Sequence, residues 1–196
     1  SGIPVSPKFS QDISKSRARE LLNIGADKKV IVISAGGAGC GKLMKLCKRL
    51  KAQIDGEYEV YVFTGKNTRL KAKIDKIAGE NGVIRTLAFT PDIYLYIKAA
   101  DVAMTKPGGL SSTEFATSGV PMILLKAIPG CETCNKRYFV KHNLATYCNS
   151  VKKAVKQTLN ILADNSRSEL IKLASDKKVI NAFAATDIVE YIIENN

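Results

Sequence analysis

Apolar, β-branched runs alternate with helix-length segments along this chain, which predicts an α/β fold: a doubly wound parallel sheet with extra helices after it. Three observations carry that expectation. Lys29-Val-Ile-Val-Ile-Ser34 is an unbroken apolar run without polar alternation, the pattern of a strand buried on both faces of a parallel sheet. Further strand-like runs follow, each separated from the next by a helical segment, and parallel strands so spaced need βαβ crossovers. Two glycine loops, at 36–41 and at Gly108-Gly109, each follow a strand and open a helix. In a Rossmann-like sheet, loops of that kind line the carboxyl edge, where ligands bind.

Taken in order, residues 10–24 read as a helix with Ser10 as its cap and Gly25 as its stop. The strand at 29–34 leads through the first glycine loop into a helix at 42–54. Strands follow at 58–63, 82–86, 101–104 and 121–125, with helices at 66–78, 92–99 and 111–118 between them. A shorter unit has a helix at 133–141 and a strand at 145–147. The last quarter reads as helical, at 150–163, 168–178 and 186–194.

With 196 residues, 45% hydrophobic and 24% charged, the chain can form one well-cored domain. No apolar run approaches the roughly 20 residues that span a bilayer, and the first residues lack the pattern of a signal peptide. A cytoplasmic protein is expected, peripheral on the cytoplasmic membrane face if it meets lipid at all. The formal charge is +12, which suits nucleic acid, an anionic membrane surface or a phosphorylated small molecule. Nucleic acid is the weakest candidate, because no aromatic–basic interleaving, zinc-finger spacing or recognition helix is present. The lysines lie on helix faces (Lys45, Lys48, Lys51; Lys71, Lys73, Lys76; Lys152, Lys153, Lys156), as either a solvated surface or one drawn to anionic lipid. The five cysteines include Cys131-x-x-Cys134. With no second pair, and with His142 the only histidine, no four-ligand metal set assembles. Neither metal nor cofactor is expected.

The densest stretch is Thr105-Lys-Pro-Gly-Gly-Leu-Ser-Ser-Thr-Glu114. Adjacent glycines let backbone approach a ligand closely, and a helix start offers unpaired N–H donors to an anion. A carboxylate repels phosphate, so Glu114 would rather accept hydrogen bonds from neutral hydroxyls such as those of a ribose. The competing reading is a capping box, with Ser111 or Ser112 as cap and Glu114 closing it. The first loop, Gly36-Gly-Ala-Gly-Cys-Gly-Lys42, narrowly misses a P-loop because Leu43 stands where a magnesium-binding hydroxyl is needed. It also misses the dinucleotide fingerprint, whose third glycine would fall at Lys42.

The chain resembles the C-terminal, nucleotide-sugar-binding domain of MurG-like GT-B glycosyltransferases, and within them the monogalactosyldiacylglycerol synthases and processive diacylglycerol glucosyltransferases. The matching stretches are Gly2-Ile-Pro-Val5, Val32-Ile-Ser-Ala-Gly-Gly37, Phe63-Thr-Gly-Lys-Asn67, Phe89-Thr90, Lys106–Glu114 and Ile128-Pro-Gly-Cys-Glu-Thr-Cys-Asn135. The resemblance implies the C-terminal half of a GT-B fold, with residues 1–9 as the end of an interdomain linker and 10–196 as the donor domain. It implies a UDP-sugar donor. The backbone of Phe89 and Thr90 would meet the uracil, Gly108, Gly109, Leu110 and Ser111 the diphosphate, and Glu114 the ribose. Glu132 and Asn135 would face the sugar, Ser34, Gly36, Gly37 and Gly39 would form a cleft loop, and Lys106 would assist the leaving diphosphate.

The same resemblance implies inverting transfer to a membrane lipid, diacylglycerol above all. Its general base and acceptor site would lie on an N-terminal domain outside these residues, so the 196 residues alone would bind a donor without transferring it. Relatives commonly carry glutamine where Cys131 stands, and a thiol is a poor partner for a sugar hydroxyl. The alternatives are a donor-binding subunit of a two-chain transferase, a UDP-sugar epimerase-like domain, or another phosphosugar-binding domain.

Overall fold

A computed structural model describes residues 2–34, 42–126, 130–164 and 180–195, with the side chains of Asn81 and Cys131 outside the description. Six parallel strands form one sheet in the order β3-β2-β1-β4-β5-β6. The strands are β1 (Lys29–Ser34), β2 (Tyr58–Gly65), β3 (Ile84–Ala88), β4 (Val102–Thr105), β5 (Met122–Leu124) and β6 (Ala145–Tyr147). The helices are α1 (Lys15–Leu21), α2 (Leu43–Lys51), α3 (Thr68–Ala78), α4 (Ile93–Ala99), α5 (Gly109–Thr117), α6 (Cys131–Lys141), α7 (Val151–Ala163) and α8 (Ala184–Glu194). The order reverses between β1 and β4, the switch point at which doubly wound sheets bind ligands.

The unbroken apolar character of β1 is explained by two cores, one on each face. Ile31 and Ile33 pack with Leu46 and Leu50 of α2, Ile74 of α3 and Val155 of α7. Val30 and Val32 point the other way, into a cluster with Ala18 of α1, Ile97 of α4, Phe115 of α5 and Phe139 of α6. Alternate residues of a strand face opposite sides, so Val30, Ile31, Val32 and Ile33 are all apolar.

The first helix differs from the sequence reading. Residues 7–9 form a 3-10 turn that Ser10 closes, and α1 starts at Lys15 with Ser14 Oγ accepting from the Arg17 N–H at 3.1 Å. Pro7 explains the shift, since its fixed φ favours a tight turn and its ring has no N–H to continue a ladder. The chain leaves α1 through Asn23 at a φ of 53°, so the stop is this asparagine and not Gly25. Residues 2–9, expected as a linker end, run along the domain with Val5 and Phe9 buried in its core. The helix expected at 168–178 lies outside the described residues. The remaining elements match the sequence reading to within a few residues at their ends.

Candidate functional site

Thr105 ends β4 beside Ser34, its register partner at the end of β1, and both are buried. The chain then turns through Lys106-Pro107-Gly108 and enters α5. Gly108 is the residue before the helix, and no side chain caps it. The first helical bond runs from the Ser112 N–H to the Gly108 carbonyl at 3.1 Å, so the N–H groups of Gly109, Leu110 and Ser111 have no intrahelical acceptor. The capping box does not form. Ser112 Oγ instead donates to the Lys106 carbonyl at 3.3 Å and Thr113 Oγ1 to the Gly109 carbonyl at 2.8 Å, which ties the turn to the helix. Among the described residues a Cβ at Gly108 would meet nothing within 4 Å, whereas one at Gly109 would lie 3.0 Å from Ile3 Cδ1. Gly108 therefore faces open space and Gly109 is set against the N-terminal segment.

Glu114 sits three residues past Ser111, about one helical turn further along α5. It is half-buried, its carboxylate makes no hydrogen bond or ion pair among the described residues, and burial raises its carboxyl pKa above the ordinary value. That leaves an acceptor beside a row of donors.

The structure also brings Lys106, Glu132 and Asn135 together, in an arrangement the sequence does not show. Lys106 Nζ donates to Glu132 Oε1 at 3.1 Å, with both side chains nearly buried. Glu132 lies in the first turn of α6, where a negative charge is favoured. Asn135 Nδ2 donates to the Pro107 carbonyl at 3.0 Å. Two residues expected to face a sugar thus hold the glycine turn in place, and the lysine expected to assist a diphosphate is engaged by a carboxylate. A cavity of about 440 Å³ adjoins them, lined by Ile3, Thr113, Asn135, Tyr138 and Phe139 among others.

Phe89 and Thr90 follow β3, three strand spacings from β4, or about 14 Å. A ligand touching both places must lie along the sheet edge. Phe89 is 71% exposed. Its N–H is already given to the Gly65 carbonyl at 3.1 Å, so the expected backbone pairing is left to the Phe89 carbonyl and the Thr90 N–H. Gly65 takes a φ of 58° to make this turn, a role that its place in the sequence does not reveal. The loop residues Gly36, Gly37 and Gly39 lie outside the described residues. Among the described residues no three His, Cys, Asp or Glu side chains converge on a metal-sized space, and His142 closes α6 with its ring against Tyr138.

A doubly wound sheet with a glycine-led helix at its switch point, uncapped among the described residues, is the Rossmann-like class of domain. More narrowly, residues 30–192 match the family described as glycosyltransferase family 28 C-terminal domain, and the chain belongs to that family. It is 31% identical, over its whole length, to a processive diacylglycerol β-glucosyltransferase of Bacillus pumilus. That match takes in 51% of the relative, so the chain spans about half the length of the curated relatives it matches. Two solved structures share the fold. MurG of Acinetobacter baumannii has a TM-score of 0.70 at 17% identity, covering 98% of this chain and 56% of that one. HepE of Anabaena, solved with UDP and glucose, has a TM-score of 0.71 at 16% identity, covering 98% and 54%.

Proposed function

We propose that this domain binds the UDP-sugar donor of an inverting glycosyltransferase that glycosylates a membrane lipid, most simply diacylglycerol, at the cytoplasmic face of a membrane. The observation that carries the reading is the start of α5: among the described residues it has three unpaired N–H groups, an open Gly108, and an unpartnered carboxylate one turn on. The diphosphate lies on the amides of Gly109, Leu110 and Ser111, with the Ser111 hydroxyl beside them. Glu114 accepts from the ribose hydroxyls, and the uracil reaches the backbone at Phe89 and Thr90. The sugar lies toward α6, where Glu132 and Asn135 fix the turn that carries it.

In the transfer step a base outside these residues removes the proton of a lipid hydroxyl, whose oxygen attacks the anomeric carbon. The bond to the diphosphate breaks as the new bond forms, and the electron pair leaves with UDP. Negative charge grows on the leaving oxygens, and the α5 amides and helix dipole are already aimed at it. On this reading no metal is needed.

Calorimetric titration with UDP tests the proposal. Wild type is expected to bind UDP equally well with and without a chelator. Glu114→Ala is expected to bind at least tenfold more weakly, since a hydrogen bond to a charged group contributes about 1.5–3 kcal/mol. Equal affinity in the two proteins would remove the ribose assignment, and no binding by wild type would remove the donor reading itself.

A further inference from the structure

The charge of this chain is one-sided. Helices α2, α3 and α7 share one face of the sheet. Four basic residues lie on α2, four on α3 and three on α7, against a single carboxylate, Asp75. The helices α1, α4, α5 and α6 of the other face, taken with α8, carry seven basic and six acidic residues. Nearly all of the +12 excess is therefore displayed on the α2–α3–α7 face. Few of its cations are paired: among the described residues the one ion pair on these helices is Lys71–Asp75, and Lys51 Nζ donates to the Ile77 carbonyl.

The face is grooved. Lys48, Lys73 and Lys76 ring a hollow of about 600 Å³ between α2 and α3 that Met44 and Ile77 also line, while Lys51 turns in to give its Nζ to the Ile77 carbonyl at 2.9 Å. A second pocket, of about 200 Å³, lies between Lys42, Lys45 and Arg49 and the start of α7 at Ser150. Arg49 Nε is buried there without a hydrogen-bond partner among the described residues. Lysine stems supply apolar walls while their ammonium heads reach outward, so the hollows suit phosphates presented in a plane above an apolar layer. By contrast α8 exposes Val189, Tyr191 and Ile193, yet its charged groups are three carboxylates, which an anionic surface repels.

We propose that the α2–α3–α7 face docks the protein on an anionic lipid surface, with headgroup phosphates seated between α2 and α3 and beside Arg49. The proposal rests on the reading that the chain works at a lipid surface, but not on the identity of the donor. Because α2 and α7 begin at the carboxyl edge of the sheet, docking sets that edge beside the membrane, where a lipid hydroxyl arrives.

The test is co-sedimentation of the 196-residue protein with vesicles of phosphatidylcholine alone, or mixed with phosphatidylglycerol, alongside UDP titration of each variant. Wild type is expected to bind the mixed vesicles, to ignore the neutral ones, and to release as salt rises. Lys48→Gln, Lys73→Gln and Lys76→Gln combined are expected to weaken binding about 100-fold, roughly fivefold per lysine, with UDP affinity unchanged. Arg17→Gln, Lys136→Gln and Lys141→Gln, which remove the same charge from the other face, are expected to weaken it less than tenfold. Equal loss in the two triple variants would show that net charge alone matters and would overturn the proposal. So would wild type that binds neutral vesicles as well as anionic ones, that binds neither, or that prefers duplex DNA at matched phosphate. Loss of UDP binding in wild type, with vesicle binding retained, would sink the donor reading and leave this one standing.

Discussion

In the free protein Glu114 holds a carboxylate half out of water, with no cation or donor beside it among the described residues. Its folded-state pKa is raised by burial, so the charged form costs stability as pH climbs from the ordinary carboxylate value through the raised one. Glu114→Gln is therefore expected to raise the melting temperature at pH 7, and to give no gain below about pH 4, where the carboxyl is protonated folded or unfolded. An equal gain at both pH values would show that charge burial is not the cause. UDP affinity should fall in wild type as pH drops through the raised pKa, and should lose that dependence in the glutamine variant. Gly108 gives a second handle at this scale. Its φ of −73° is open to any residue and a Cβ there touches nothing among the described residues. Gly108→Ala should thus leave thermal stability unchanged while weakening UDP binding at least tenfold, by putting a methyl where the diphosphate approaches. Unchanged UDP affinity would place the phosphates elsewhere.

Among the elements, the segment from β2 into α3 shows how a helix start serves a site several strands away. Gly65 turns the chain and its carbonyl fixes the Phe89 N–H, while Asn67 Oδ1 accepts from the Leu70 N–H at 2.9 Å. Asn67→Ala should cost about 1 kcal/mol in chemical denaturation, the usual value of an N-cap. Hydrogen exchange should show the Phe89 amide less protected, and a loss spread evenly over the chain would argue against this local role. Elements of this kind are readable from sequence because caps and turns are local: Ser150 before α7 and the strand at 29–34 fall where the residues predict. The α1 start does not, because Ser10 and Ser14 both suit a cap, and Ser10 is taken up in closing the turn that Pro7 opens.

At the scale of the whole molecule, one polar junction ties the helix layer to the sheet. Arg19 donates to the carbonyls of Ala99 and Ala26 and, at 2.7 Å, to Asp101 Oδ2, which also accepts from the Val30 N–H. Arg19 is almost fully buried, so removing it leaves carbonyls and a carboxylate short of partners. Arg19→Ala is expected to lower stability by about 3 kcal/mol, as breaking a buried pair does, and a loss under 1 kcal/mol would show that Lys15, 2.8 Å from Asp101, suffices. The sequence alone determined the alternation of strands and helices, the glycine turn at 108–109 on the carboxyl edge, and the pairing of its glycines with Glu114, since each depends on residues within a few turns of one another. Tertiary structure decided the rest. That Lys106 meets Glu132, that Asn135 holds Pro107, that Phe89 spends its N–H on Gly65, and that the lysines of three separate helices share one face all depend on contacts between distant segments. Strand order sets those contacts, and no local spacing encodes it.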